Sequence, residues 1–186
     1  MAGIITSCLV LALVVFVGLY VVSTYNRLVS EQLKVDNQWS QIDIVLKQRA
    51  DTIPSLVEIV KGYASHEKQL LEEVSQARTG FMEADTPERS VQAAGMLSSS
   101  LGRLFAVAEN YPELKANENF MELQRRYDAM ENKIADFRQF YNDTVMRYNQ
   151  QVLTFPASLI ARMFHFEQRA FFQVDEKDKQ APVVKF

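Results

Sequence analysis

The chain has 186 residues, and all 20 of its basic and all 23 of its acidic side chains lie at or after Arg27. A net charge of −3 gives no excess of cations to neutralise phosphates, which argues against general nucleic-acid binding. One cysteine excludes an internal disulfide and a C-x-x-C motif, and six glycines with five prolines are too few for a turn-rich β fold. Helix is therefore the expected secondary structure.

The uncharged segment, residues 1–26, is predicted to be a transmembrane anchor. Its apolar run Ile4–Val22 would span roughly 28 Å as a helix, close to a hydrocarbon thickness of about 30 Å. A cleaved signal peptide is the alternative. It is disfavoured because no basic residue precedes the run, the run is long, and Val21-Val22-Ser23 is a weak cleavage site.

The cations that flank the anchor predict its orientation. Arg27 and Lys34 follow the apolar run, whereas only the α-amino group precedes it. The positive-inside rule then places the amino terminus outside and the remaining chain in the cytoplasm.

From Leu28 to Val74, apolar residues recur about every 3.5 positions, which predicts one long helix that ends at Thr79-Gly80. Nothing directly after the anchor breaks the pattern, so this helix can be continuous with the membrane span. Pro54 lies inside it and is expected to kink it. Because the helix is much longer than its successor, part of it is expected to lie unpaired near the membrane and to favour self-association.

Three further helices are predicted. Asp85-Thr86-Pro87-Glu88 has the cap and first-turn proline of a helix start, and the second helix runs to about Glu109. Its Gly95 and Gly102, together with the three serines 98–100, suggest close approach of a neighbour, and the alternative is a weaker helix. A third helix starts at the cap Asn117 and carries an apolar stripe to Phe155, and a short fourth helix covers residues 157–164.

These elements predict an all-α fold, in which an amino-terminal transmembrane helix is followed by an up-and-down antiparallel helical bundle. The expected domains are the anchor at residues 1–26, the bundle at 27–172 and a flexible polar tail at 173–186.

Motifs for catalysis or cofactor binding are absent from the sequence. The stretch beginning His66-Glu67 lacks the second histidine of a zinc-binding H-E-x-x-H motif, and neither histidine belongs to a Glu-x-x-His pair of the di-iron bundles. All six glycines are isolated, so no phosphate-binding loop is present. We therefore expect no enzyme activity, no metal and no cofactor.

Charged side chains interrupt or flank the apolar stripe of the first helix. One interpretation is a set of surface ion pairs of little energetic value, such as Asp43 with Lys47. The other is a partly buried ionic network with Arg125, Arg126 or Arg138 that fixes helix register. The charged residues concerned are Asp43, Lys47, Arg49, Asp51 and Glu58.

Two Tyr-Asn pairs, Tyr141-Asn142 and Tyr148-Asn149, lie seven residues apart on the third helix, so both asparagines share one stripe. A buried asparagine can specify register or oligomeric state at a cost in stability. The alternative is a solvated asparagine beside a core tyrosine.

The connection Ala106–Phe120, with the sequence AVAENYPELKANENF, resembles the LemA family, and the resemblance extends from the anchor to the last aromatic segment. Thr52 and Ser55, on either side of Ile53-Pro54, replace the more usual Leu and Asn. The other matching stretches are residues 25–29, 38–43, 51–57 and 61–67, both Tyr-Asn pairs, and Phe155-Pro156-Ala157. The resemblance implies a bacterial membrane protein with an amino-terminal anchor, a short external end and a helical bundle, and supplies no catalytic residues.

Three functions are compatible with this sequence. The first is a non-enzymatic membrane-anchored scaffold that self-associates or organises a complex in the bacterial cytoplasmic membrane. The second is an adaptor or signalling module that binds a protein partner, for which the connection from Tyr111 and Pro112 to Phe120 is the candidate surface. The third is an enzyme with an unrecognised site. Partners expected for the first are the lipid bilayer, through residues 4–22, and further copies of the chain.

Overall fold

The computed structural model describes residues 1–172, of which 85% are helical and none is in a strand. The all-α prediction is confirmed. The tail predicted at residues 173–186 lies outside the described residues. The six helices are α1 (Ala2–Tyr63), α2 (Lys68–Met82), α3 (Pro87–Ala108), α4 (Pro112–Lys115), α5 (Glu118–Leu153) and α6 (Ala157–Met163).

Helix α1 continues without a break from the apolar run into the charged part of the chain. It is long and apolar enough to cross a membrane, and none of its most apolar window is covered by the rest of the chain. It also passes through Pro54, which removes one backbone donor but does not end the helix.

The end predicted for the first helix at Thr79-Gly80 is wrong. Helix α1 ends at Tyr63, and after a turn the chain reverses into α2, which runs antiparallel to α1. The Nε of Arg78, near the end of α2, donates a hydrogen bond to the carbonyl oxygen of Ala50 at 2.9 Å. Apolar spacing did not reveal the turn, because buried apolar residues keep a helical spacing on both sides of it, as Val60, Ala64 and Leu71 do.

Helices α3 and α5 begin where the sequence indicated. The hydroxyl of Thr86 accepts a hydrogen bond from the backbone N–H of Arg89 at 3.3 Å, and Pro87 occupies the first helical position. The side-chain oxygen of Asn117 accepts one from the N–H of Phe120 at 3.0 Å. Both are local signals, which is why the sequence alone contained them.

By their internal contacts, the described residues divide into two compact units. Unit 1 comprises residues 1–40 and 139–171, and unit 2 comprises residues 41–138 with Phe172. Helices α1 and α5 contribute residues to both.

In unit 1, the first turns of α1 after the apolar run are covered by α5, α6 and the segment that follows α6. Leu28 and Val35 are buried, and the Trp39 ring lies edge-on to the Tyr141 ring, with centroids 5.9 Å apart. The expectation that this part of the first helix lies unpaired is therefore wrong. Because the chain returns along α5, the helix finds its partner far away in sequence.

In unit 2, α1, α2, α3 and α5 enclose an aliphatic core. Helix α1 runs antiparallel to α5, since Arg49 contacts Glu131 and Tyr63 contacts Asn117. Fully buried side chains from the four helices are Leu46, Ile53, Val74, Leu97, Leu101, Leu104 and Ile134.

Gly95 and Gly102 do not mark a close neighbour, contrary to expectation. Both are exposed in α3, and a Cβ atom added at either would meet no atom within 4 Å. We expect Gly95→Ala to raise the free energy of unfolding by about 0.5–1 kcal/mol, because glycine has greater backbone freedom in the unfolded chain. Denaturant unfolding of the full chain measures this, and Gly102→Ala should behave alike. An unchanged or lower denaturation midpoint in both variants would contradict the finding that space is open around these two glycines.

Candidate functional site

The most buried charged group of unit 2 is the guanidinium of Arg49, whose side chain is 0% exposed. It donates hydrogen bonds to the hydroxyl oxygen of Ser98 at 2.7 Å and to the carbonyl oxygen of Ala94 at 3.1 Å. It also forms an ion pair with the carboxylate of Glu131. One side chain of α1 thereby joins α3 and α5.

Neighbouring polar groups complete this cluster, which we define as Arg49, Ala94, Ser98, Tyr127 and Glu131. The Ser98 hydroxyl donates to the Ala94 carbonyl at 3.0 Å while it accepts from Arg49. Burial, reinforced by the negative charge of Glu131, raises the pKa of the Tyr127 hydroxyl well above its usual value. The phenol therefore stays neutral, and the arrangement holds three helices in register.

The charged residues of the first helix separate into two kinds. Asp43 and Lys47 form a partly exposed ion pair at 2.6 Å, as the surface interpretation proposes, and Asp51 and Glu58 are exposed. Of these residues, Arg49 belongs to a buried network. The network member that it pairs with on α5 is Glu131, and not Arg125, Arg126 or Arg138, which the sequence analysis named as candidates.

Sequence reasoning missed Glu131, although a signal for it existed, whereas Ser98 lies in the serine stretch 98–100 that was expected to meet a neighbour. Glu131 lies four residues after Tyr127 and three before the buried Ile134, so it is a charge on the apolar face of α5. Arg49 is in the same situation on α1. A charge on each of two buried faces indicates an ion pair, and Ser98, which contacts Arg49 of α1, belongs to the serine stretch that suggested a close neighbour.

The connection between α3 and α5 has its aromatic residues directed inward. The Tyr111 hydroxyl donates to a carboxylate oxygen of Glu67 at 3.1 Å, and this hydrogen bond raises the pKa of the phenol. Phe120 and Leu114 are buried, whereas Pro112 is exposed at the start of α4. The connection is thus hydrogen-bonded to the turn between α1 and α2.

The two Tyr-Asn pairs lie in unit 1. The Tyr141 hydroxyl donates to the carbonyl oxygen of Ala170 at 3.1 Å, and Tyr148 is buried. The Asn149 amide nitrogen donates to the carbonyl oxygen of Arg169, and its amide oxygen accepts from the Arg169 N–H, both at 2.8 Å. Asn149 is buried and Asn142 is half-buried. The second pair therefore fixes the path of the chain after α6.

Unit 1 also contains an open groove of about 510 Å³ between α1 and the end of α5. Tyr20 and Thr24 line it at one end with Phe155, and Arg27 and Arg147 contribute cationic side chains. Lys34 also lines it and pairs with Glu31 at 2.7 Å. The groove is thus cationic and begins where the apolar run of α1 ends.

A metal-binding group of three or more His, Cys, Asp or Glu side chains is not found within residues 1–172. Cys8 is exposed within the apolar run. The polar groups brought together in residues 1–172 thus support helix register, chain path and a cationic groove.

Comparisons with known proteins place the chain among related sequences. The model described as the LemA family matches residues 38–186. Protein LemA of Metamycoplasma hominis is 25% identical over 171 residues, which cover 91% of this chain and 78% of that protein. Magnetosome protein MamQ 2 of Paramagnetospirillum magneticum is 23% identical, with coverage of 88% of this chain and 70% of that protein. Magnetosome protein MamQ of Magnetospirillum gryphiswaldense is 21% identical, with coverage of 88% and 69%.

The family match extends over well more than half of the sequence and includes the Arg49 cluster, the α3–α5 connection and both Tyr-Asn pairs. The chain belongs to the LemA family.

Proposed function

We propose that this protein is a single-pass membrane protein whose helical units act as a non-enzymatic scaffold, self-associating or organising a complex at the membrane. The observation that carries the proposal is the continuity of α1, which joins an uncovered apolar span to the packed part of the chain without a linker. A flexible tether would leave the two independent, whereas an unbroken helix fixes their spacing.

The orientation that we propose has the amino terminus outside and the packed units in the cytoplasm of a bacterium. Arg27 and Lys34 support it as cations that directly follow the span. Both lie within 12 residues of the end of the apolar run, the range over which the positive-inside rule counts cations.

Exposed apolar side chains support self-association. Leu33, Phe140 and Met146 of unit 1 are each more than half exposed outside the apolar run. Two relatives are named magnetosome proteins, which fits a role in organising a membrane-associated structure.

The assembly state of the full chain tests this proposal. We expect chemical cross-linking in membranes, and size measurement in mild detergent, to show a particle larger than one chain. The double variant Leu33→Glu/Phe140→Glu should shift it toward the monomer, and the control Gln92→Glu/Ser99→Glu, which adds the same charge at exposed polar positions of unit 2, should not. A strictly monomeric wild-type particle at membrane-like concentrations would refute self-association.

A further inference from the structure

The groove of unit 1 lies at the depth of lipid headgroups when the apolar run spans the bilayer. The run ends at Val22, so Thr24 and Arg27 follow it by roughly 3 and 8 Å along the helix axis. The headgroup layer of each leaflet is about 5–8 Å thick. Tyr20, inside the run, and Arg27, beyond it, both line the groove, which therefore crosses from the hydrocarbon edge into the headgroup layer.

The charges of the groove favour an anion. Lys34 is neutralised by Glu31, but Arg27 and Arg147 form no ion pair with any residue of the described range 1–172. Two guanidinium groups thus remain available in a chain whose net charge is −3. Guanidinium groups match the geometry of phosphate oxygens and bind them through paired hydrogen bonds.

An apolar rim lies beside these cations. Phe155, which lines the groove, is 78% exposed, and Leu159 of α6 is also exposed. Phe164, at the end of α6, packs against Tyr25 with ring centroids 4.8 Å apart, and Tyr25 follows Val22 by only three residues. Exposed aromatic and aliphatic side chains at this level are those that a membrane interface covers.

We propose that this groove binds the phosphate of an anionic phospholipid, held by Arg27 and Arg147, with its acyl chains beside Phe155. The proposal rests on the membrane insertion proposed above. It gives the carboxyl-terminal part of unit 1 a second attachment to the bilayer, besides the span itself. Free phosphate compounds share the same chemistry, and the apolar rim favours the lipid.

The test uses the full chain in detergent micelles that contain phosphatidylglycerol or phosphatidylcholine, with bound lipid counted by native mass spectrometry. We expect preferential retention of phosphatidylglycerol. Arg27→Gln/Arg147→Gln should weaken its binding by about fivefold per cation removed, since one cation near an anionic surface contributes about 1 kcal/mol. Arg125→Gln/Arg126→Gln removes the same charge from exposed positions of unit 2 and should leave binding unchanged.

Two results would overturn the proposal. One is equal retention of phosphatidylglycerol by wild type and the Arg27/Arg147 variant, and the other is an equal loss in the control variant. Flotation with phosphatidylcholine vesicles reports membrane insertion separately. A protein that floats but shows no lipid preference would therefore refute phospholipid binding by the groove and leave membrane insertion standing.

A competition arm distinguishes the two sources of phosphate. Soluble glycerol phosphate at millimolar concentration should not displace the lipid, because it lacks the acyl chains that contact the rim. Phe155→Ser should weaken lipid binding. Full displacement by glycerol phosphate, together with unaltered binding by Phe155→Ser, would assign the groove to a free phosphate compound.

Discussion

Glu131→Ala should lower the free energy of unfolding by about 3 kcal/mol, because it leaves the guanidinium of Arg49 buried without a counter-charge. Breaking a buried ion pair by removing one partner costs about 3–5 kcal/mol. The lower end applies here because the Glu131 side chain is 31% exposed and so is partly screened by water. The hydroxyl of Ser98 and the carbonyl of Ala94 would remain as partners but carry no charge.

Removing the other partner, in Arg49→Met, should lower the free energy of unfolding by less than Glu131→Ala does. Arg49→Met keeps an apolar stem of similar length in the core, and the Glu131 carboxylate left behind can be solvated from its exposed side. In the double variant Arg49→Met/Glu131→Ala, much of the penalty of Glu131→Ala should disappear, since no buried charge remains.

Equilibrium unfolding of the full chain in detergent, followed by circular dichroism, measures these differences. Glu122→Ala is the matched control, because Glu122 pairs with Arg126 at 2.8 Å on the exposed surface of the same helix. Its effect should be below about 1 kcal/mol. If Glu131→Ala and Glu122→Ala destabilised the protein equally, the cluster would have no special role in helix register.

Leu11→Arg/Val15→Arg should release the protein from the membrane. Each arginine near the centre of a transmembrane helix opposes insertion by roughly 3 kcal/mol, and the favourable contribution of the replaced residue is lost as well. Two such changes, about 6 kcal/mol together, should prevent the apolar run of α1 from spanning the bilayer.

Resistance to carbonate extraction after expression measures this effect, and Leu11→Ile/Val15→Ile is the control that keeps the run apolar. Circular dichroism of the released protein should still show a helical spectrum, because the buried residues of both units lie outside the run. A double-arginine variant that remained in carbonate-washed membranes would count against membrane insertion through this segment.

Features that depend on neighbouring residues could be predicted from this sequence. The apolar run, the start of α3 at Thr86-Pro87 and the cap at Asn117 are each determined within a few residues. The turn after Tyr63 was not predicted, because Gly62 and Ser65 are its only local signals, the N-cap of α2 forms no side-chain hydrogen bond, and the apolar stripe continues across the turn. Its position depends on α2 packing back against α1, a contact that local propensity does not describe.

The candidate site shows the same division. Arg49 was recognisable as a charge on an apolar stripe, but its partner Glu131 is 82 positions away, and sequence spacing carries no information over that distance. Asn149 stood out through the repeat of its dipeptide, whereas its partner is the backbone of Arg169, which has no sequence signature. A side chain that binds distant backbone can be recognised as a candidate from the sequence, but its partner can be identified only from the folded structure.

The hydrogen bonds of Asn149 have a consequence for how this protein can vary. Its amide forms hydrogen bonds only with the main-chain N–H and carbonyl of position 169, so these bonds do not depend on the side chain there. The Tyr141 hydroxyl likewise binds the main chain of position 170. Substitutions at 169 and 170, proline at 169 excepted, therefore preserve these main-chain hydrogen bonds, and a change at 169 removes only the exposed ion pair of Arg169 with Asp36, at 3.4 Å. The surface charge of this segment can therefore change among relatives while its path is kept.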